Sequence, residues 1–345
     1  RLWIVIAPQE KVELRENLVV ARGRVVPAEP VARQWKVAPY DAPVLRCAVD
    51  TRGRGALGAV AAAVPYPEPA ASSQAIPTAI AYDIDLEGGE SHTIVLAFPF
   101  VSFVDAADWR KVAALDFETK LAEVVAFWKS YVLAGGQLDL PEPLLNDFHR
   151  AARAHVAISV DKDPTSGLYV VPAATWAYGA CGNEACWQIT MLDQAGHHER
   201  ARAYLETFLA TQGALKPDGK FVSAEGALQG LDLDAGTPVR SGFGYNLDHG
   251  YIMECLVHHY RITGDRAWLE RVAPNLVSAC EFIIRERHGT KVYSRAGQPV
   301  IEWGLLPAGH LEDNPEWRHW FAVNAHAYAG LKGVAEVLAT IVAPG

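Results

Sequence analysis

The chain has 345 residues, enough for two domains with real cores, and half of them are hydrophobic, an ordinary globular composition. Lys and Arg number 31 against 40 Asp and Glu, a formal charge of −9, which argues against a nucleic-acid or anionic-membrane surface because both need clustered basic charge. No apolar run is long enough to cross a bilayer.

Cys47, Cys181, Cys186, Cys255 and Cys280 are odd in number and show no framework spacing. They read as free buried thiols, which leans toward a reducing compartment such as the cytoplasm. The chain opens on Arg1 with no starting Met and no signal peptide, so a segment is expected to be missing there; an excised signal peptide would leave no trace.

Residues 1–104 read as strands. Leu2-Trp3-Ile4-Val5-Ile6 is an apolar run, Glu13 to Val26 holds several short alternating runs, and Val44 to Val49 is another. Thr78 to Ile84 and Ser91 to Phe100 close the series, while Ala56 to Ala63 is ambiguous. Turn chemistry at Arg52-Gly53-Arg54-Gly55, Pro65 to Pro69 and Gly88-Gly89 separates them. Many short strands with Gly and Pro turns predict an antiparallel β-sandwich.

Residues 105–143 read as a linker. Asp105 to Leu133 is predicted as one helix ending at Gly135-Gly136, and Leu138-Asp139-Leu140-Pro141-Glu142-Pro143 is a stiff bridge. Residues 144–345 read as helical. Leu144 to about Val160 carries Leu144, Phe148, Ala151, Ala152 and His155 on one stripe, with His155 expected as a hydrogen-bonded core residue.

The stretch Gly182 to Gly213 predicts two helices joined at Ala195-Gly196. The first is apolar nearly all round through Ala185, Trp187, Ile189, Met191 and Leu192, as a helix buried on several sides would be. The second has one apolar stripe, Ala201, Tyr204, Leu205, Phe208 and Leu209, and Gly213 sits where a C-cap glycine belongs. The pair repeats. A helix from Asp248 to about Arg261 ends at Gly264, and the next starts at an Asp265 N-cap with Trp268, Val272, Leu276, Ala279 and Ile283 on one face. Pro274 should kink or restart that helix. The last helix is predicted to start with Asn314 as N-cap and Pro315 at its first position, with Trp317, Phe321, Asn324, Tyr328, Leu331, Ala335 and Leu338 as its stripe. Helix pairs of this kind bury their faces by stacking on neighbours.

Long loops lead into the inner helices, while the corners at Gly196 and Gly264 are short. Those loops and the adjoining helix starts hold Trp176, Tyr178, Asn183, Glu184, Trp187, Tyr245, Asn246, Asp248, His249, Glu302, Trp303, His310, Glu312, Asp313 and Trp317. Carboxylates interleaved with aromatics suit a neutral polyol such as a sugar. Rings stack on its apolar faces, while carboxylates and amides take its hydroxyls. His197-His198 and His258-His259 are adjacent pairs whose members do not face each other on a helix, so a metal site is not expected.

The helical half resembles the (α/α)6-barrel glycoside hydrolases related to glucoamylases and disaccharide phosphorylases, in which a β-sandwich, a linker helix and a helical barrel follow in this order. Tyr178 to Gly213 is similar to the family's first active-site loop and helix pair. Asn246-Leu247-Asp248-His249-Gly250-Tyr251 is similar to the next inner-helix start, and Ile262-Thr263-Gly264-Asp265 to its usual corner. Ile301-Glu302-Trp303-Gly304-Leu305-Leu306-Pro307, with Leu311-Glu312-Asp313-Asn314, resembles the segment that carries the general acid.

The resemblance implies a multi-domain α and β fold, with a β-sandwich over 1–104, a linker over 105–143 and an (α/α)6 toroid over 144–345. It implies a glycosidase acting on an oligosaccharide without a cofactor. Glu312 would be the acid, with Asp313 and Glu302 behind it. A second carboxylate would activate water on the opposite face, about 6.5–9.5 Å away, giving inversion. Phosphorylase relatives use phosphate in place of that water. Trp176, Tyr178, Asn183, Glu184, Trp187, Asp248, Trp303 and Trp317 would bind substrate. Asn183-Glu184 departs from the family's Arg-Asp grip on the terminal sugar, so sugar preference does not carry over. Alternatively, Glu312 and Asp313 only charge-stabilise the next helix N-terminus, and Glu184 and Asp248 are first-turn helix charges.

About six helices fit after Leu144 where a complete barrel has twelve, so about half a barrel is expected, with the second carboxylate beyond Gly345. An unpaired half would expose apolar helices and favour homo-oligomers. A non-catalytic carbohydrate-binding or scaffolding protein on an incomplete toroid is the alternative from another class.

Overall fold

The structure is a computed structural model that describes residues 2–6, 11–15, 18–22, 44–52, 60–63, 78–82, 86–91, 93–98, 105–163, 166–173, 181–230, 232–234, 237–240, 246–311 and 314–342. The chain divides into two compact units, Arg1–Ala126 and Phe127–Gly345.

The first unit contains two antiparallel sheets. One has the order β1–β6–β5, formed by Leu2–Ile6 (β1), Val60–Ala63 (β5) and Thr78–Tyr82 (β6). Ile80 pairs with Ile4 on one side and Ala61 on the other. The other has the order β2–β3–β4–β7, from Lys11–Arg15 (β2), Leu18–Arg22 (β3), Val44–Arg52 (β4) and Thr93–Ala97 (β7). The ambiguous stretch at Ala56 to Ala63 thus contributes a strand. The predicted turns at 52–55 and 65–69 lie wholly or mostly outside the described residues.

The predicted single helix from Asp105 is two helices, Ala106–Ala113 (α1) and Phe117–Leu133 (α2). Asp116 explains the break. Its carboxylate accepts the Thr119 N–H at 2.8 Å, which starts a new helix as Asp105 starts α1 through the Ala107 N–H at 2.7 Å. Short polar side chains that cap backbone N–H groups favour helix starts over helix interiors.

In the second unit, Pro143–Ser159 (α3) follows the bridge. Its apolar stripe does not face inward as predicted. Leu144 and Phe148 are 78% and 69% exposed, His155 is exposed, and the buried residues are Arg153 and Val156. The reason is Arg153. Its guanidinium donates to the carbonyls of Val132 (2.9 Å), Ala134 (2.9 Å), Gly136 (3.2 Å) and His149 (3.3 Å). These include the C-terminal end of α2, where carbonyls lack helical partners and the dipole favours a cation.

A short ladder, Asp161–Lys162 (β8) with Tyr169–Val170 (β9), leads to Gly182–Gln194 (α4) and His198–Ala210 (α5). The α5 stripe Ala201, Tyr204, Leu205, Phe208 and Leu209 is buried as expected. After the ladder of Asp232–Asp234 (β10) and Thr237–Arg240 (β11) come Asp248–Thr263 (α6) and Arg266–Gly289 (α7). Gly264 closes α6 in the left-handed conformation, and Asp265 caps α7 by accepting the Trp268 N–H at 2.9 Å. Pro274 lies inside α7, which does not restart there, because Val272, Leu276 and Ala279 on either side are buried.

The predicted last helix is corrected at its start. Asn314–Arg318 is a strand (β13) paired with Gly309–Leu311 (β12), and the helix is Phe321–Val342 (α8). Asn314 Oδ1 accepts the Glu316 N–H at 3.0 Å, a local turn that leaves no cap for a helix. The buried stripe of α8 is Val323, Ala327, Gly330, Gly333, Val334 and Val337, whereas Phe321 and Tyr328 of the predicted stripe are 87% and 66% exposed.

Contacts fix the helix directions. Gly182 meets Asp248, and Asp193 near the end of α4 meets His259 near the end of α6, so α4 and α6 run parallel. Gly250 lies against His326, and Arg261 pairs with Glu336, so α6 and α8 run parallel too. Arg202 meets Asp265 and Gln212 meets Asn275, giving α5 and α7 a common direction. The molecule therefore places three parallel helices, α4, α6 and α8, side by side, with α5 and α7 packed behind them. Among the described residues, no helix is long and apolar enough to cross a membrane.

Candidate functional site

The N-termini of α4, α6 and α8 open on one rim, and Asp248 stands at its centre. Asp248 is completely buried, and its carboxylate accepts three backbone N–H groups: Gly182 (3.0 Å), Asn183 (3.0 Å) and Gly230 (3.3 Å). Burial pushes its pKa up to about 7 against the pull of these three donors, and the charge of Glu184 adds to the rise. Gly182 is required for this grip, because a Cβ there would lie 2.8 Å from the Asp248 Cβ.

His249, the next residue, faces another element. Its Nδ1 accepts the Leu228 N–H at 3.0 Å, and its Nε2–H donates to the Ala279 carbonyl at 3.1 Å. These partners select one neutral tautomer. Burial brings the imidazole down to about pKa 4. Glu286 on α7 completes the hold on the loop after α5, accepting the N–H groups of Val222 (3.0 Å) and Ser223 (3.1 Å). The loop over residues 213–230 is thus bound by three buried side chains through its backbone.

Asn246 ties this loop to the β12–β13 hairpin. Its Nδ2 donates to the Asp218 carbonyl at 2.9 Å, and its N–H to the His310 carbonyl at 3.4 Å. Lys220 N–H donates to the Ala308 carbonyl at 2.8 Å, and Asn324 Oδ1 of α8 accepts the Leu306 N–H at 2.8 Å. Asn183 and Asn246 are buried, and the Oδ1 atom of each has no hydrogen-bond partner among the described residues.

The predicted site residues fall as follows. Trp176, Tyr178, Tyr245, Glu312 and Asp313 lie outside the described residues. Asn183 and Asp248 are joined directly by a hydrogen bond. Glu184 is exposed on the first turn of α4. Trp187, one turn deeper, is 67% exposed and lines a cleft of about 600 Å³ along α4, α6 and α8. Glu302 and Trp303 are half-buried in the turn before Gly304, where Trp303 meets Tyr293 edge to face at 4.6 Å between centroids. Trp317 is half-exposed on β13, its ring 6.0 Å from that of His310.

Sequence reasoning missed Glu286, Arg153 and Asp193 as anchors. The signal for Glu286 was available, since it follows Ala279 and Ile283 in phase on the α7 stripe. Asp193 accepts from His259 (2.9 Å) and His198 (3.0 Å), so one member of each adjacent histidine pair shares one carboxylate. The cleft adds Glu254, bonded to His326 at 2.8 Å, with His326 stacked on Tyr251. Among the described residues, no three His, Cys, Asp or Glu side chains converge in a group that could hold a metal ion. Comparison of the chain with protein-family models and with curated proteins returns no match.

Proposed function

We propose that the protein is a glycoside-acting enzyme, with inverting hydrolysis of an oligosaccharide as the leading reaction. In this reading the two antiparallel sheets are the halves of a sandwich, and the helix pairs are about half of an (α/α)6 toroid. The observation that carries the reading is the common polarity of α4, α6 and α8, whose N-terminal ends are tied to the segment between Glu302 and Trp317 through Asn246 to the His310 carbonyl and Asn324 to the Leu306 N–H.

Glu312 is the proposed acid, protonating the glycosidic oxygen, with Asp313 and Glu302 as the other carboxylates of that segment. Trp176, Tyr178, Trp187, Trp303 and Trp317 supply stacking surfaces. Asn183 offers a buried carbonyl oxygen that a sugar hydroxyl can satisfy, and Glu184 is free in the solvent beside it. Asp248 acts by position. With both oxygens taken by backbone N–H groups, it orients the first turn of α4 on which Asn183 and Glu184 stand.

The second reading, a carbohydrate-binding or scaffolding protein without turnover, draws on that same engagement of Asp248, whose two oxygens already accept three backbone N–H groups. A disaccharide phosphorylase is the third.

Release of reducing sugar from a panel of oligosaccharides, with and without phosphate, separates the three. Hydrolysis predicts phosphate-independent release, and Glu312→Gln abolishes it by orders of magnitude in a folded protein. Full activity in that variant removes Glu312 from the mechanism. Sugar binding without release supports the second reading.

A further inference from the structure

Polar and aromatic residues recur at helical spacing along one side of α6 and one side of α4. On α6 they are Tyr251, Glu254, His258 and Arg261, and on α4 they are Trp187, Thr190 and Gln194. Together with α8 they wall the cleft of about 600 Å³. The hollow exists because α8 presents only Ala329 and Gly333 to it, four residues apart, where larger side chains would fill the space.

The groups that face the cleft are fixed by contacts within the protein. His326 Nδ1 stands 2.8 Å from Glu254 Oε1, and the His326 ring stacks on Tyr251 at 3.9 Å between centroids. Trp187 is exposed although Ala185, Cys186 and Ile189 beside it are buried, so its indole is a ring face held open to the cleft. The side chains of Glu254 and Arg261 are partly accessible and opposite in charge. Ring faces with a carboxylate, a guanidinium and the Gln194 amide, in balanced charge, suit a neutral polyhydroxylated ligand. The cleft also begins one turn inward from the rim. Trp187 follows Asn183 by four residues on the same face of α4, and Tyr251 follows Asp248 by three on α6.

We propose that the cleft continues the rim site and holds the further sugar units of an oligosaccharide whose reacting bond lies at the rim; the proposal rests on the glycoside-acting reading. Its volume falls in the range of small-molecule sites, about 300–1,000 Å³, and exceeds what one sugar ring needs. The substrate class is therefore a chain of several units rather than a disaccharide. Trp187 stacks on the first unit inside the cleft, and Glu254, oriented by His326, takes hydroxyls further in.

The test is isothermal titration of the protein with two series, maltose through maltohexaose and cellobiose through cellohexaose, with sugar release measured on the same compounds. In the series that binds, affinity should rise by about tenfold or more from the disaccharide to the tetrasaccharide. Ala329→Phe fills the cleft from α8 and should abolish that gain, with disaccharide affinity and melting temperature unchanged. Glu254→Gln, which keeps the side-chain shape, should reduce the gain and serves as the second variant. Affinity independent of chain length, a gain that survives both variants, or no binding by any member overturns the cleft assignment. Sugar release in any of those cases leaves the glycoside-acting reading standing. Length-dependent binding that Ala329→Phe removes, without any release, supports the cleft and refutes turnover.

Discussion

The Asp248 carboxylate at the start of α6 accepts the Asn183 N–H at the start of α4 at 3.0 Å, across 65 residues of sequence. One buried side chain thereby sets the relative height of two parallel helices. It also brings the Gly230 end of the loop after α5 to the same point.

Asp248 should make folding pH-dependent in a defined direction. Its folded pKa is raised from 3.8 to about 7. Below pH 4 both states are protonated, and its contribution is fully present. Between pH 4 and 7 the unfolded chain ionises while the folded one resists, so stability is lost as pH rises, by about 4 kcal/mol at the limit. Urea unfolding of wild type and Asp248→Asn at pH 4.5 and 7.5 should show the wild type losing stability relative to the variant. A constant difference would mean that Asp248 does not titrate in this range.

His249 should act in the opposite direction. Its pKa is lowered from 6.5 to about 4, so its contribution is present above 6.5 and lost as pH falls toward 4, by about 3 kcal/mol. Nitrogen chemical shifts of its ring should show the neutral Nε2–H tautomer at pH 6. An imidazolium at that pH would contradict the bond from the Leu228 N–H.

How much was legible in the sequence follows from these residues. The α5 and α7 stripes were readable because each helix has one apolar face and one partner layer, and both are buried as predicted. The α3 and α8 stripes were not. Leu144 and Phe148 are displaced by Arg153, whose partners are carbonyls contributed by another helix, and hydrophobic periodicity contains no term for that. On α8 the small residues Gly330 and Gly333 form the contact with Met253 and Val257 of α6, so close approach outweighs side-chain size. Asp248 and Asn183 were legible as site residues by position, but the bond between them depends on long-range pairing.

Arg153→Ala should be among the most damaging substitutions outside the rim. It removes the charged donor to the carbonyls of Val132, Ala134 and Gly136 at the end of α2, leaving only the longer contacts of Gln137 and His149 at 3.3–3.4 Å. A loss of about 1–3 kcal/mol is expected, the order of a part-buried hydrogen bond to a charged donor. Arg153→Lys should recover only part, since an ammonium lacks the planar fork. Chemical denaturation of both variants measures this, and a loss under about 1 kcal/mol in the alanine variant would exclude the clamp.

Gly250 and Gly264 should respond differently to alanine. A Cβ at Gly250 would stand 2.3 Å from the His326 carbonyl carbon and force α6 and α8 apart, costing about 3 kcal/mol. At Gly264 there is open space, and only the positive φ of 63° is strained, costing about 1 kcal/mol. Thermal unfolding of the two variants should rank Gly250→Ala as clearly the less stable. The reverse order would contradict the close approach of the two helices.

The measurement that bears most directly on the proposed glycosidase is proton NMR of the sugar released from an oligosaccharide in the first minutes of reaction. The account predicts free sugar of the anomeric configuration opposite to that of the cleaved bond, formed without phosphate and absent with Glu312→Gln. Binding without any released sugar, or release with the configuration retained, would contradict it.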